Sequence, residues 1–179
     1  SKPANYLKID SQIWPVESQV LERPDRLQYV RKIIQPKECV FCSAAENSAP
    51  IFESLLVYKS KFSMIVMNKF PYNNGHLLVL PVRHCGDFLA LSTNEFQDLH
   101  ETLRKAVAAL KEIYNPPGLN LGLNHGAVAG AGIPDHLHYH VIPRWAGDTN
   151  FFPLIAQSKA IVESLEQTFQ RLLAYFEEK

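Results

Sequence analysis

Three histidines occupy alternate positions late in the chain and carry the strongest chemical signal in the sequence. They are His136, His138 and His140, separated by Leu137 and Tyr139. Side chains of a β-strand alternate between its two faces, so the pattern predicts that all three imidazoles leave one face. A neutral imidazole held in one tautomer is a good nucleophile toward phosphorus, whereas burying three imidazoles without a task is costly. The spacing therefore favours a reactive site over three packed core residues.

A loop of small residues leads into the histidines. It contains the run Ala129-Gly130-Ala131-Gly132, where the absence of large side chains would let backbone N–H groups approach an anion. After the histidines, the indole of Trp145 could stack on a base, although a tryptophan at a surface rim is about equally expected. The pairing of imidazoles with an anion-binding loop is the functional signal of this region.

Two cysteines form a C-x-x-C pair at Cys39 and Cys42. In a chain without a visible secretion signal, this spacing indicates metal binding or redox chemistry before a structural disulfide. A structural zinc site needs four ligands. His84 is expected to end one strand and His136 to begin another, so the two could meet at one end of the sheet. We therefore predict a Cys2His2 site, with a reduced surface C-x-x-C as the alternative and Cys85 as a competing ligand that should point away.

The elements that must position these residues follow from apolar periodicity. A capping box at Ser92 and Glu95 precedes a helix predicted over residues 93–113, and a second amphipathic helix is predicted over 161–176. A short helix is expected over 28–34. Strands are expected at 55–58, 62–68, 76–82, 119–124 and 136–142. The order predicts an α+β fold, with an antiparallel sheet of about five strands and both long helices packed on it.

Length and composition set the broader expectations. The chain has 179 residues with 46% hydrophobic content, which suits an N-terminal arm over 1–35, a central domain over 36–150 and a C-terminal helix over 151–179. A formal net charge of zero argues against nucleic acid or a membrane surface as partner. The absence of a visible signal peptide or long apolar run leads us to expect a cytoplasmic location.

The segment H-L-H-Y-H-V-I resembles the His-x-His-x-His-x-x signature of the histidine triad (HIT) superfamily of nucleotide hydrolases and transferases. The similarity continues upstream through Asn68, Gly75-His76 and Arg83-His84. The longer run A-G-A-G-I-P-D-H-L-H-Y-H-V-I-P-R-W-A-G-D-T-N-F is similar to bacterial members that act as diadenosine tetraphosphate phosphorylases. The resemblance implies a HIT-like fold for residues 36–150 and a homodimer.

The resemblance also implies a role for each matching residue. His138 would be the nucleophile that takes the nucleoside monophosphate group, and His140 would hydrogen-bond the phosphoryl oxygens. Asn68 would contact the ribose and Asn124 the phosphates, beside the small-residue loop. The structural zinc ion of zinc-containing members would be held by residues at the positions of Cys39, Cys42, His84 and His136.

The predicted function is phosphorolysis of dinucleoside polyphosphates through a covalent nucleotidyl-histidine intermediate. Hydrolysis of a dinucleoside polyphosphate or of an AMP conjugate is the alternative. The small-residue loop lacks the serine or glutamine that some hydrolase branches place there. Its phosphate contacts would come from backbone N–H groups of Gly130, Ala131 and Gly132, which leaves the acceptor open. Two other hypotheses stay open: a catalytic metal on the three triad histidines, disfavoured by their span of about 13 Å, and a non-catalytic nucleotide-binding module.

Overall fold

The computed structural model describes residues 39–148 and 162–178 of the chain. The arm over 1–35 and the helix expected over 28–34 lie outside the described residues, and the three-part division stays a prediction. The described helices are α1 (Val40–Ala45), α2 (Thr93–Tyr114) and α3 (Leu165–Glu177). The strands are β1 (Leu56–Lys59), β2 (Ser63–Met67), β3 (Leu77–Pro81), β4 (Gly118–Leu123) and β5 (Tyr139–Arg144). None of the described helices is long and apolar enough to cross a bilayer.

The strands form one antiparallel sheet in the order β1-β2-β3-β5-β4. β3 lies in the centre and is buried along its whole length, as its apolar sequence predicts. β5 runs between β3 and β4, and His140 lies opposite Leu78 on one side and Gly122 on the other. The predicted α+β class and five-stranded sheet are therefore confirmed.

One face of the sheet is covered by α2 and α3, and we call it the helix face. α2 begins at the predicted capping box, in which Ser92 and Glu95 exchange both backbone bonds, and it ends where Asn115 adopts a left-handed conformation. The buried core there joins Ile65, Met67, Leu77, Val79, Leu99, Leu110, Leu137, Val141, Phe169 and Leu172. This core fixes the side of β5 from which apolar residues emerge.

The opposite face, which we call the open face, has a smaller apolar cluster covered by α1. Phe41 and Ala44 of α1 pack there against Leu56, Met64, Val66, Leu78 and Leu80. Because both residues between the cysteines are apolar, the sequence suggests that both turn inward, but this is wrong for Val40, which is 43% exposed. Adjacent helical residues diverge by about 100°, so only one of the pair can face the sheet.

The predicted strand over 136–142 was wrong at its start, because β5 begins at Tyr139. The N–H of His136 donates to Ile133 O, and the N–H of Leu137 donates to Cys85 O rather than to a neighbouring strand. The alternation of faces nevertheless persists, since Leu137 joins the helix-face core. The turn before β5 therefore ties the first two triad histidines to the loop that follows β3.

Candidate active site

His138 lies on the open face, with only 6% of its surface exposed. Its Nδ1 is 2.8 Å from the backbone carbonyl of His136. A carbonyl oxygen only accepts, so Nδ1 carries the proton and the neutral ring keeps its lone pair on Nε2. Burial lowers the pKa of His138, which favours that neutral form. The side chain is thus prepared as a nucleophile.

His140 has the opposite arrangement of its proton. The N–H of Tyr72 donates to Nδ1 of His76 at 3.1 Å, so neutral His76 carries its proton on Nε2. That Nε2 is 2.9 Å from Nδ1 of His140 and donates to it. His140 must then carry its own proton on Nε2, where it is a hydrogen-bond donor. A proton chain of backbone amide, His76 and His140 therefore fixes the donor role of the third histidine.

His76 is a functional residue that the sequence left without a role. Only 2% of it is exposed, and its ring centroid is 5.1 Å from that of His140. The Asn68 amide nitrogen lies 3.3 Å from both ring nitrogens of His76, while its oxygen accepts from the N–H of Phe70. The available signal was a histidine at the start of a buried strand. Asn68 thus lies beside His76, the residue that orients the ring of His140.

Asn124 shapes the small-residue loop. It follows Leu123, which pairs with Tyr139, and its amide donates to Gly130 O at 3.3 Å. Gly126 and Gly130 have φ of +88° and +91°, angles that residues with a Cβ rarely adopt. The loop is therefore held closed next to His138 by its own polar groups.

Two of the expected phosphate-binding amides already have partners. The N–H of Gly130 donates to Ala127 O at 3.0 Å, and that of Ala131 donates to Gly126 O at 3.3 Å. Gly132 follows them, and within the described ranges its N–H has no hydrogen-bond partner. A phosphate could accept from the N–H of Gly132 directly. The other two amides would first have to break their hydrogen bonds within the loop.

Trp145 is not brought to the histidines within one chain. It follows β5, whereas His138 precedes it, and a strand of this length separates the two by about 20 Å. The indole instead lies edge-on to Tyr114, with ring centroids 6.5 Å apart. The neighbouring Arg144 guanidinium binds Asp148 and Asn120. A base-stacking role for Trp145 stays a prediction.

Four residues converge at the other end of the histidine segment and could hold a metal ion. Their ligand atoms all lie within 4.8 Å of one another, and they are the predicted Cys39, Cys42, His84 and His136. Nδ1 of His136 is 3.4 Å from Cys39 Sγ and 3.7 Å from Cys42 Sγ, and Nδ1 of His84 is 3.2 Å from Cys42 Sγ. Tetrahedral zinc would require sulfur–nitrogen separations of about 3.5 Å. The set fits that geometry.

The tautomer of His136 supports the same interpretation. Its Nε2 donates to Pro81 O at 2.8 Å, which leaves the lone pair of neutral His136 on Nδ1, facing the sulfurs. Burial lowers the pKa of His136 and so favours the neutral form. The three triad histidines thus have three different partners: the cysteine sulfurs, a carbonyl and His76. This arrangement does not support one catalytic metal shared by the triad.

Gly86 lets the two ligand-bearing loops approach each other. A Cβ placed on it would lie 2.6 Å from Pro134 O and 2.9 Å from Asp135 Cα, closer than real contacts allow. His84 and His136 lie immediately beyond this contact on their respective segments. His125 faces solvent with about half of its side chain exposed, and it accepts from the N–H of Phe88.

The sheet topology and the histidine geometry together define a class of protein. The HIT domain family model matches residues 50–147, and the chain belongs to the HIT family. The chain is 43% identical over 122 residues to a Mycobacterium tuberculosis protein named AP-4-A phosphorylase, a match covering 68% of this chain and 62% of that protein. The match thus spans less than two thirds of the relative's length.

Two further matches agree on the family. A Schizosaccharomyces pombe protein named bis(5'-nucleosyl)-tetraphosphatase (asymmetrical) is 33% identical over 95 residues, covering 53% of this chain and 52% of that protein. The crystal structure of a hypothetical histidine triad nucleotide-binding protein from Sulfolobus tokodaii superposes with a TM-score of 0.62 at 26% identity. It covers 78% of this chain and 93% of that one. The relatives therefore include proteins named for two different reactions.

Proposed function

We propose that this chain is a nucleotidyl-transfer enzyme that acts on dinucleoside polyphosphates. The observation that carries the proposal is the different hydrogen bonding of two neighbouring rings, whose centroids are 5.2 Å apart and whose partners imply opposite tautomers. His138 presents a lone pair on Nε2, and His140 presents an N–H on the equivalent atom. One ring can attack phosphorus while the other donates to the oxygens around it.

The proposed reaction has two steps. Nε2 of His138 attacks the α-phosphorus, a P–N bond forms, and the P–O bond to the leaving polyphosphate breaks. The Nε2–H of His140 stabilises the charge that develops on the phosphoryl oxygens, which is the main requirement of phosphoryl transfer. An acceptor oxygen then attacks the same phosphorus, the P–N bond breaks, and His138 recovers its lone pair. In this reaction Asn68 would contact the ribose, and the amide of Gly132 would contact phosphate.

We propose inorganic phosphate as the acceptor, with water as the alternative. The 43% identical relative is named as a phosphorylase, and the 33% identical one as a tetraphosphatase. Incubation of the protein with diadenosine tetraphosphate and ³²P-labelled phosphate distinguishes them. Phosphorolysis yields ATP and labelled ADP, whereas asymmetric hydrolysis yields ATP and unlabelled AMP. Unlabelled AMP as the only other product would reject phosphorolysis, and the absence of any product would favour a binding module.

We propose further that Cys39, Cys42, His84 and His136 hold a structural zinc ion. Four protein ligands complete a tetrahedron and leave no open position for substrate, as in structural rather than catalytic sites. A bound zinc ion would cross-link α1 to the loop after β3 and to the turn before β5. It would take no part in the chemistry at phosphorus. Elemental analysis should find about one zinc per chain, and its chelation should lower the melting temperature before turnover is lost completely. No bound metal in freshly purified protein would contradict this assignment.

We also propose that the protein acts as a homodimer. β4 forms an edge of the sheet and pairs only with β5 among the described residues. Leu121 on this strand is 48% exposed, and an open apolar edge is normally covered by another strand or chain. Sedimentation analysis of the protein should give twice the mass of one chain, and Leu121→Lys should shift it toward the monomer. A monomer at micromolar concentration would refute the proposal.

A further inference from the structure

Phe41 lies between the two cysteines and contacts two of the triad histidines. Its ring centroid is 5.4 Å from that of His136 and 5.2 Å from that of His138. The side chain is 7% exposed and belongs to the open-face cluster with Leu78 and Leu80. One apolar ring therefore touches both a proposed metal ligand and the proposed nucleophile.

We infer that Phe41 is a positioning residue that couples the Cys2His2 set to the orientation of the His138 ring. The expected change in turnover rests on the proposed function, whereas the expected change in the orientation of the His138 ring does not. Phe41 does not contact the reacting atoms itself. It acts through the imidazole of His138, against which it packs. The coupling arises because the same turn of α1 carries Phe41, Cys39 and Cys42.

α1 depends on its neighbours because six residues are too few to form a stable helix alone. At its start, Cys39 and Cys42 face His84 and His136. At its end, the ammonium of Lys59 donates to Ala45 O and, at 3.0 Å, to Asn47 O. Loss of either attachment should loosen the helix. Its position on the sheet thus depends partly on the ligand set.

His138 has few other restraints on its ring. Its one described hydrogen bond runs from Nδ1 to the carbonyl of His136, and a single bond permits the ring plane to tilt about it. The rings of Phe41 and His140 both lie against the His138 ring, each with its centroid 5.2 Å away. If Phe41 moves, the direction of the Nε2 lone pair is no longer fixed. A displacement of this kind lowers turnover more than substrate binding.

The test compares Phe41→Ala, Phe41→Leu and a matched control, Val40→Ala, in the full chain. Val40 lies between the same cysteines, but its side chain is exposed. Each variant is prepared with zinc and after chelation, and zinc content is measured directly. The ring of His138 is followed in ¹⁵N–¹H spectra, assigned with His138→Ala, and kcat and KM are measured with diadenosine tetraphosphate. The spectra report on the inference even if no turnover occurs.

We expect Phe41→Ala to lower kcat by about 10-fold to 100-fold with little change in KM, and to broaden the His138 resonances. Chelation should cause a similar loss in the wild type but change kcat of Phe41→Ala by less than about twofold. Phe41→Leu, which keeps the apolar contact, should retain zinc and give an intermediate loss. It replaces Phe41→Ala in the comparison if that variant does not retain zinc. Val40→Ala should respond to chelation as the wild type does.

Three results would overturn the inference. The first is that chelation lowers kcat of the Phe41 variants by the same factor as kcat of the wild type. The second is that the His138 resonances stay unchanged in both Phe41 variants. The third is that Val40→Ala abolishes the response to chelation as fully as Phe41→Ala does. If the wild type forms no product from any dinucleotide, the proposed function fails, while the ring spectra with and without zinc still decide the role of Phe41.

Discussion

The two faces of the sheet divide the molecule into a part built for stability and a part built for chemistry. On the helix face, two long helices cover a continuous apolar core. On the open face, a six-residue helix packs on a smaller apolar cluster, and its Phe41 lies against His136 and His138. Both faces are supplied by the same short segment, in which Leu137 and Val141 point one way and His138 and His140 the other.

This division teaches that local strand alternation can separate stability from function within one element. Apolar burial on the helix face fixes β5 strongly. On the open face, hydrogen bonds set the positions of protons. Each of them contributes much less to stability than the apolar core does. Substitutions on the two faces should therefore affect different measurements, and the following predictions are ways to test that separation.

The largest effect is expected for His138→Ala. Loss of the attacking nitrogen should lower kcat by about 10⁴-fold or more, while the fold should persist because the helix-face core is untouched. Product formation from diadenosine tetraphosphate and circular dichroism measure the two quantities. An adenylated protein detected by mass spectrometry in the wild type should be missing in the variant. Near-normal turnover in a folded variant would remove His138 from its central role.

Leu110→Ala should produce the complementary result. Leu110 is fully buried on the helix face, so the substitution should lower the free energy of unfolding by about 2–5 kcal/mol through lost burial and a residual cavity. The proposed catalytic groups lie on the other face, so kcat per folded molecule should stay within about twofold of the wild type. Urea unfolding and assays at low temperature test both parts. A large loss of kcat in the folded variant would mean that the faces are not separable.

The sequence allowed the helix face to be predicted better than the open face. α2 has a capping box at Ser92 and Glu95 and more than five turns of apolar periodicity, and these local signals agree with the tertiary structure. α1 has only six residues and no such periodicity, so its formation depends on packing that no local pattern contains. The predicted strand start failed for a related reason, because Leu137 bonds to Cys85 in a distant loop.

The candidate site divides in the same way. Residue type and spacing predicted which cysteines and histidines come together, because zinc ligands have strict chemical requirements. They did not reveal His76, whose role depends on the backbone N–H of Tyr72 and on Nδ1 of His140. Nor could they show that the amides of Gly130 and Ala131 bond within their own loop. Hydrogen-bond partners that only the tertiary structure brings together cannot be predicted from the spacing of residues in the sequence.

A smaller loss is expected when the proton chain to His140 is broken. His76→Ala leaves Nδ1 of His140 without its donor, so the ring can adopt the wrong tautomer, and kcat should fall by about 10-fold to 100-fold. His76→Gln, which keeps an N–H, should recover part of the loss. The control is His100→Ala on the helix face, where the ring bonds Phe96 O and Tyr139. An equal loss in His76→Gln and His76→Ala would argue for packing rather than proton position.

The smallest effect concerns the ion pair between Arg83, which follows β3, and Glu95 in the first turn of α2. Two hydrogen bonds from Arg83, next to the proposed metal ligand His84, and one from the N–H of Ser92 lower the pKa of Glu95 from 4.5 to about 2. Because the folded pKa is depressed, this stabilisation is complete above pH 4.5 and is lost as the pH falls toward 2. Glu95→Gln should therefore lower the urea midpoint at pH 7, and its difference from the wild type should shrink steadily below pH 4.5. Protonation of the proposed metal ligands in acid affects both proteins alike and so cancels in that difference. A difference independent of pH would assign the contribution of Glu95 to helix capping rather than to its charge.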